Sequence, residues 1–365
     1  MLNLFSFLQK KSSGSYLGLD IGTTSIKIAE VRLGKPLPHL VNYGILESWG
    51  ALARENTALQ TSTLKLFEQE ALDLLKTLLG KMRPSTKKTI ASLPLFSAFT
   101  TVLDFPEISS GDLKKAIAFQ AAQYVPVPLS EVALDWTKVG EYEDEKGFKH
   151  IQVLLISVPH EHIKRYQELC KNAGLELLSL EVESLCIVRS LIGSDITPTV
   201  IIDVGSRSTA IAITEGGTLR FTGQTDFAGA SLTQALASSL NISPIRAEEL
   251  KKERGVLGTG PNYELSTIMV PFLDAIISEV KRVDYTYHNQ FPKAGKIERA
   301  ILSGGGANLL GAQKYFQEQL GVPAVKAAPL FKFERSQAID PLVPELGPAL
   351  AVSLGLALRE TEETV

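Results

Sequence analysis

Cysteine is almost missing from this sequence: Cys170 and Cys186 are the only two in 365 residues. They have no CxxC spacing and no His at zinc-ligand distance, which excludes a disulfide scaffold and a thiolate metal site. They read as packed thiols of a reducing compartment, each in a stretch of amphipathic helical pattern. Histidine is scarce too, at five residues, and the close pair His160 and His162 lies two apart on a helical stretch, where the side chains diverge. No charge of one sign dominates, since 37 Lys and Arg stand against 40 Asp and Glu. Nucleic acid binding, which is driven by clustered cations, is therefore set aside. No apolar run reaches the roughly 18 residues that a bilayer-spanning helix needs, and no signal-peptide pattern opens the chain. The expected location is cytoplasmic, with no direct membrane span.

What is present is the composition of an ordinary globular protein, 44% hydrophobic and 21% charged, in a chain longer than one core usually supports. Two lobes sharing a cleft are expected. The opening residues 1–11 run from apolar to basic. That pattern could touch a membrane surface or a partner groove, but it reads more simply as a frayed tail, assigned to 1–15.

The sequence repeats one design. Residues 16–20 form an apolar run closed by Asp20, followed by Gly22, Thr23, Thr24 and Ser25, with a return strand at 26–31. Residues 199–203 close on Asp203, followed by Gly205, Ser206 and Ser208, with a return strand at 209–214. A strand, a tight Gly and hydroxyl turn, and a strand bring backbone N–H and side-chain O–H groups up to phosphate oxygens, and Gly removes the Cβ that would block the approach. Lys27 adds positive charge. Asp20 and Asp203 cannot bind phosphate themselves and suit a hydrated Mg²⁺, held through its water. One such turn is commonly only a loop; two, one in each half, point to two copies of an α/β unit clamping a phosphate chain between them.

Between the copies, 64–79 has helical period, 87–106 is rich in strand formers, 111–124 is helical, and 131–142 and 149–159 are strand-like around an acidic turn at 143–147. We assign the first lobe to 16–190, with an inserted β-α-β-β subdomain over about 87–160, and the second lobe to 191–365. Helices are expected at 162–172, 182–191, 231–240, 244–254 with Pro244 at its start, and 271–290. Residues 299–302 form a strand ending in Ser303, Gly304, Gly305 and Gly306, a glycine cluster fit to bed a nucleoside, with Asn308 capping the next helix. A small-residue helix at 347–359 is expected to pack back on the first lobe. No GxxxxGK[ST] and no GxGxxG in a strand-to-helix context occurs; the glycines of 255–260 read as a surface loop.

With these motifs in view, the segments 17–27, 201–206 and 301–306 resemble the actin, sugar-kinase and heat-shock-chaperone superfamily. Within it the chain most resembles the type IV pilus assembly PilM family, a relative of the cell-division protein FtsA. Residues 122–126, 180–184, 247–251 and 354–359 carry that narrower likeness. The resemblance implies a duplicated ribonuclease-H-like fold with an FtsA-type insert, ATP with Mg²⁺ in the cleft, and Glu248 and Lys251 beside the adenosine; spacing alone reads those two as a solvated helix face. It implies that Glu183 orients an attacking water, although Glu in a first helical turn equally suits the helix dipole. It implies at most slow ATPase activity. It also implies a scaffold at the inner membrane that binds the N-terminal cytoplasmic peptide of a PilN-type protein in a groove between first lobe and insert, bordered by 96–105 and 120–124, together with other pilus assembly proteins and copies of itself. Apolar residues in that region read as core on general grounds.

Two alternatives share the fold. A sugar or acid kinase needs a catalytic Asp, for which Asp135 is the candidate, although its alternating strand pattern fits an exposed strand position. An FtsA-like filament protein is expected to carry a membrane-targeting C-terminal helix, and residues 360–365 are acidic and polar instead.

Overall fold

The computed structural model describes residues 14–48, 64–256 and 263–359. The opening 1–11, most of the glycine stretch 255–260 and the acidic close 360–365 lie outside the described residues.

Two five-stranded sheets carry the architecture. The first contains β1 (Ser15–Ile21), β2 (Ser25–Arg32), β3 (His39–Glu47), β4 (Lys88–Leu93) and β8 (Glu176–Val182), in the order β3-β2-β1-β4-β8. The second contains β9 (Thr199–Val204), β10 (Thr209–Glu215), β11 (Thr218–Thr225), β12 (Arg299–Ser303) and β13 (Ala324–Lys326), in the order β11-β10-β9-β12-β13. In each, a three-stranded antiparallel meander is extended by two parallel strands. The repeat read in two hairpins thus extends to whole sheets. β1 and β9 sit at the centre of their sheets and are buried along most of their length. This is why they read as continuous apolar runs rather than alternating ones.

The insert is a three-stranded antiparallel sheet of β5 (Phe99–Pro106), β7 (Lys149–Pro159) and β6 (Val132–Glu143), in that order, with helix α2 (Ser110–Tyr124) between β5 and β6. It is the expected β-α-β-β unit, but it does not begin at 87. The strand-forming run 87–106 is two strands: Lys88–Leu93 pairs in parallel with β1 and β8 in the first sheet. Pro94 and a 3₁₀ turn at Leu95–Ser97 then break the chain before β5. Pattern registers strand propensity but not which edge a strand joins, and Pro removes the N–H needed to continue the ladder.

The remaining helices are α1 (Leu64–Met82), α3 (His160–Asn172), α4 (Glu183–Leu191), α5 (Gly229–Leu240), α6 (Pro244–Arg254), α7 (Tyr263–Gln290), α8 (Ala312–Leu320) and α9 (Val343–Ala357). Ser243 caps α6 by accepting a hydrogen bond from Arg246 N, with Pro244 in the first turn where its missing N–H costs nothing. Asn308 caps no α-helix: it ends a 3₁₀ turn (Gly305–Asn308), its Nδ2 donates to Glu345 O at 2.9 Å, and α8 starts only after Gly311, whose φ is 83°. Only a residue tolerant of the left-handed region fits there.

Helices α4 and α9 lie where the two halves meet. α9 packs on β1, β2, β4 and α4, while α4 also touches β10 and β11. Residues 337–357 have the length and apolarity of a membrane span, yet Leu350, Ala351, Leu354, Leu356 and Ala357 are wholly buried inside the protein, which accounts for the composition. The approach is backbone to backbone. A Cβ on Gly355 would stand 1.9 Å from Cys186 O, and one on Gly18 of β1 would stand 1.8 Å from Ser353 O. Beside the crossing, Arg189 donates to Glu181 Oε1 at 2.7 Å, to Oε2 at 2.8 Å and to Gly355 O at 2.9 Å. Burial works against the Glu181 carboxylate, but the Arg189 charge and hydrogen bonds outweigh it and hold its pKa at about 2.

Opposite effects of two Gly→Ala changes test this packing. Gly355→Ala should lower stability by about 3 kcal/mol, the scale of overpacking a rigid contact. Gly80→Ala, in α1 with nothing within 4 Å of its Cβ position, should raise it by about 0.5–1 kcal/mol through helix propensity. Urea unfolding midpoints of the two variants against wild type give both signs.

Candidate functional site

Both hairpins turn in the same way. Gly22 N donates to Ser25 O at 2.9 Å and Gly205 N to Ser208 O at 3.1 Å. A Cβ at Gly205 would stand 2.8 Å from that same carbonyl, which excludes a side chain there, and one at Gly22 would stand 3.1 Å from it, which leaves little room. Asp20 and Asp203 end equivalent strands, and the register assigns each a cross-strand neighbour: Lys27 for Asp20 and Ala210 for Asp203.

This single difference makes the duplicated site asymmetric. Asp20 is satisfied, with Lys27 Nζ 3.2 Å from Oδ2 and Ser92 Oγ 3.0 Å from Oδ1. Asp203 has no lysine across the strand, and its Oδ1 is fully buried without a hydrogen-bond partner. Burial pushes the Asp203 pKa up to about 6, against the pull of Lys27 and Ser303. Burial works against the Lys27 ammonium, yet Asp20, Asp203 and Glu183 outweigh it and hold its pKa above the ordinary lysine value. Glu183, the first residue of α4, is pushed well above the usual carboxylate range by burial and then by Asp20 and Asp203.

Above these groups lies a cavity of about 510 Å³ with walls from both halves, a volume suited to a small organic ligand. It brings together Thr24, Ser25 and Lys27 of the first hairpin, Gly205 and Ser206 of the second, Glu248 and Lys251 of α6, and Gly305 and Gly306. Asp20, Gly22, Thr23, Glu183, Asp203, Ser208 and Gly304 are not on this wall. Gly304 has φ 77° and presses on Val204 O and Asp203 Oδ1, where no Cβ fits.

Glu248 and Lys251 are not a solvated face. Both side chains are about nine-tenths buried and pair at 2.6 Å. Lys251 Nζ also donates to Gly229 O at 3.0 Å and to Thr233 Oγ1 at 2.9 Å, and Thr233 donates to Glu248. Sequence reasoning missed Gly229, which opens α5. Its N–H donates to Gly205 O and that of Ala230 to Ser206 O, so the helix spends its first amides on holding the second hairpin. A glycine before a helical run was the available signal. Asp135 lies on β6, half-buried rather than exposed and with its pKa raised to about 6 by burial, but it does not line the cavity.

The donor set fits a hard cation held through its waters. No group of three His, Cys, Asp or Glu side chains among the described residues is placed to chelate a metal directly. A buried carboxylate oxygen without a partner, with the Asp20 carboxylate near enough to raise its proton affinity, suits an ion such as Mg²⁺ that keeps most of its hydration shell.

The comparisons agree with this geometry. FtsA of Enterococcus hirae is 23% identical over 345 residues, covering 85% of this chain and 77% of that protein. Among solved structures, one from a PilM-PilN type IV pilus biogenesis complex superposes with a TM-score of 0.79 at 23% identity, covering 97% of this chain and 100% of that one. MreB 5 of Spiroplasma citri, solved bound to AMPPNP, gives 0.50 at 13% identity, covering 96% and 97%. The fold is thus actin-like and bilobed. The family model of the type IV pilus assembly protein PilM matches residues 18–361, and the chain belongs to that family.

Proposed function

We propose that this chain binds ATP with Mg²⁺ between its lobes and serves as a scaffold of type IV pilus assembly, holding the N-terminal cytoplasmic peptide of a PilN-type inner-membrane protein. The observation that carries the nucleotide reading is the duplicated hairpin pair: two Asp-closed strands with Gly and hydroxyl turns converge on one cavity. In this reading Thr23, Thr24, Ser25, Lys27, Ser206 and Ser208, with the backbone of Gly22 and Gly205, hold the phosphates. Asp20 and Asp203 hold the waters of the cation. Glu248 and Lys251 lie beside the adenosine, and Gly304, Gly305 and Gly306 bed it. Bound Mg²⁺ would supply charge neutralisation of the phosphates. Hydrolysis in this reading is slow at most, with Glu183, the first residue of α4, as the group that would orient the attacking water. Asp135, away from the cavity wall, gives the kinase alternative no base there.

The partner reading draws support from family membership and from exposed aromatics at the insert. Phe119 and Tyr124 on α2 are 73% and 51% exposed, and Phe96, in the turn leading into the insert, is 50% exposed. Val102, Leu103, Phe105 and Ala121 nearby are core. Aromatics in water are the usual anchors of a partner segment. Such a partner would place the protein at the cytoplasmic face of the inner membrane.

Titration with labelled ATP and Mg²⁺ tests the first claim: wild type should bind, and Asp20→Ala and Asp203→Ala should each weaken binding by about 10–100-fold, the scale for groups that hold a metal through water. Equal affinity in all three proteins would refute the site.

Asp203 also predicts a trade-off between stability and binding. Its folded pKa of about 6 lies above the model-peptide value of 3.8, so the ionised carboxylate destabilises the ligand-free fold. The penalty is absent below about pH 4, grows between 4 and 6, and is complete above 6. Asp203→Asn should therefore melt higher than wild type at pH 7.5 without nucleotide, lose that advantage near pH 4, and bind ATP poorly. Thermal melts at the two pH values decide it.

For the partner, Tyr124→Ala should weaken binding of a PilN-type N-terminal peptide by roughly tenfold, as truncating an anchor does, while ATP affinity stays unchanged. Fluorescence polarisation with the labelled peptide reads this, and undiminished binding would place the docking surface elsewhere.

A further inference from the structure

Besides the crossing of α4 and α9 at the floor of the cleft, the contacts of the insert with β11 and the backbone bond of β3 to Glu334, the two lobes meet at the rim of the cleft in an ion pair. Lys252 Nζ, on α6 of the second lobe, lies 3.3 Å from Glu47 Oε2 and 3.5 Å from Oε1, at the end of β3 in the first. Both residues line the cavity and both side chains are about half exposed, so the pair spans the cavity where it meets solvent. We propose that Glu47 and Lys252 form a strap across the mouth of the cleft that sets how fast a nucleotide leaves; this rests on the nucleotide reading above.

Each end of the strap is tied to a part of the site. Glu47 pairs in register with Ser25 of the first hairpin, and the next residue donates from Ser48 N to Thr24 O at 2.7 Å. Ser48 Oγ is further fixed on Glu70 Oε1 at 2.9 Å. A phosphate that orders Thr24 and Ser25 therefore also fixes the backbone that carries Glu47. Lys252 follows Lys251 and lies 3.8 Å from Glu248 Oε1, while Lys251 holds Oε2. The Glu248 carboxylate thus anchors both lysines, one turned into the cavity and one reaching across its rim. Half-exposed ion pairs are weak and screened by salt. The strap therefore acts on the rate of opening, by roughly two- to fivefold, and blocks nothing.

The test is stopped-flow release of a fluorescent ATP analogue from the full chain preloaded with Mg²⁺. Glu47→Gln and Lys252→Gln should each speed release roughly two- to fivefold. The double variant should be no faster than either single, the signature of one shared interaction. Raising salt from about 0.05 to 0.5 M should speed release from wild type and leave the variants flat. Cross-linking Glu47→Cys to Lys252→Cys with a short reversible reagent should slow release, and cleaving the link should restore it. Release at the wild-type rate from both single variants, or additive effects in the double, overturns the proposal. If wild type binds no analogue, the nucleotide reading fails and the strap is judged by itself. Spin labels at Lys76→Cys on α1 and Lys314→Cys on α8 then report the distance between lobes; a distribution that broadens in Glu47→Gln sustains the strap, and an unchanged one refutes it.

Discussion

How closely helices α4 and α9 approach decides where everything else in the cleft can stand. Gly355 meets Cys186 O and Gly18 meets Ser353 O with no room for a side chain at either position. The first sheet and the two helices are therefore stacked at nearly the shortest spacing that backbone allows, and α4 carries the second sheet through β10 and β11. β1 and β9 end at the two hairpin turns, so this spacing brings the turns to opposite walls of one cavity. The Arg189 guanidinium fixes the crossing by joining Glu181 of β8 to the carbonyl of Gly355 in α9. The pair is buried, with both Glu181 oxygens and both terminal guanidinium nitrogens bonded, which favours one arrangement of the helices over slipped ones.

Within that frame, electrostatics divides the labour between two hairpins of common design. Lys27 neutralises Asp20 directly and attracts Asp203 and Glu183 from nearby. One ammonium serves three carboxyl groups, and the balance is met by raised proton affinity at Asp203 and Glu183. The second hairpin has Ala210 where the first has Lys27, so Asp203 keeps an unsatisfied oxygen that only a further cation or donor can meet. A site left short of positive charge in the folded chain is one whose stability rises when a cation arrives.

The hairpins were legible in the sequence because their chemistry is local: strand, Asp, Gly, hydroxyls and strand follow one another within a dozen residues. The glycine cluster after β12 was legible for the same reason. β3, β8, β11 and β13 carry no comparable local signal, because strand pairing is settled between segments far apart. The run 87–106 has one propensity and two destinations, and only Pro94 marked the break. Glu248 and Lys251 looked like surface charge because their burial depends on Thr233 and Gly229, fifteen or more residues away. Glu47 carried no signal at all: its partner lies 205 residues further on.

The insert shows the same limit from another side. It leaves and rejoins the chain within the first lobe, yet its strands lie against β11 of the second. Arg220 of β11 donates to Val139 O and, at 2.6 Å, to Gln152 Oε1, and its guanidinium stands 5.6 Å from the centre of the Phe291 ring. The register of β6 slips between Lys138 and Gly140, and the slip accompanies a Val139 carbonyl turned toward β11, where Thr218 Oγ1 also donates to it. Gly140 is glycine because a Cβ there would stand 1.7 Å from Arg220 Nη1. Thr100 and Thr222 add a hydroxyl pair at 3.0 Å, and Gln290 Nε2 reaches Val102 O. A bulge, a glycine and a guanidinium thus form one joint, so the insert belongs to the first lobe by covalent connection and to the second by packing, and no shift of one lobe against the other leaves it undisturbed.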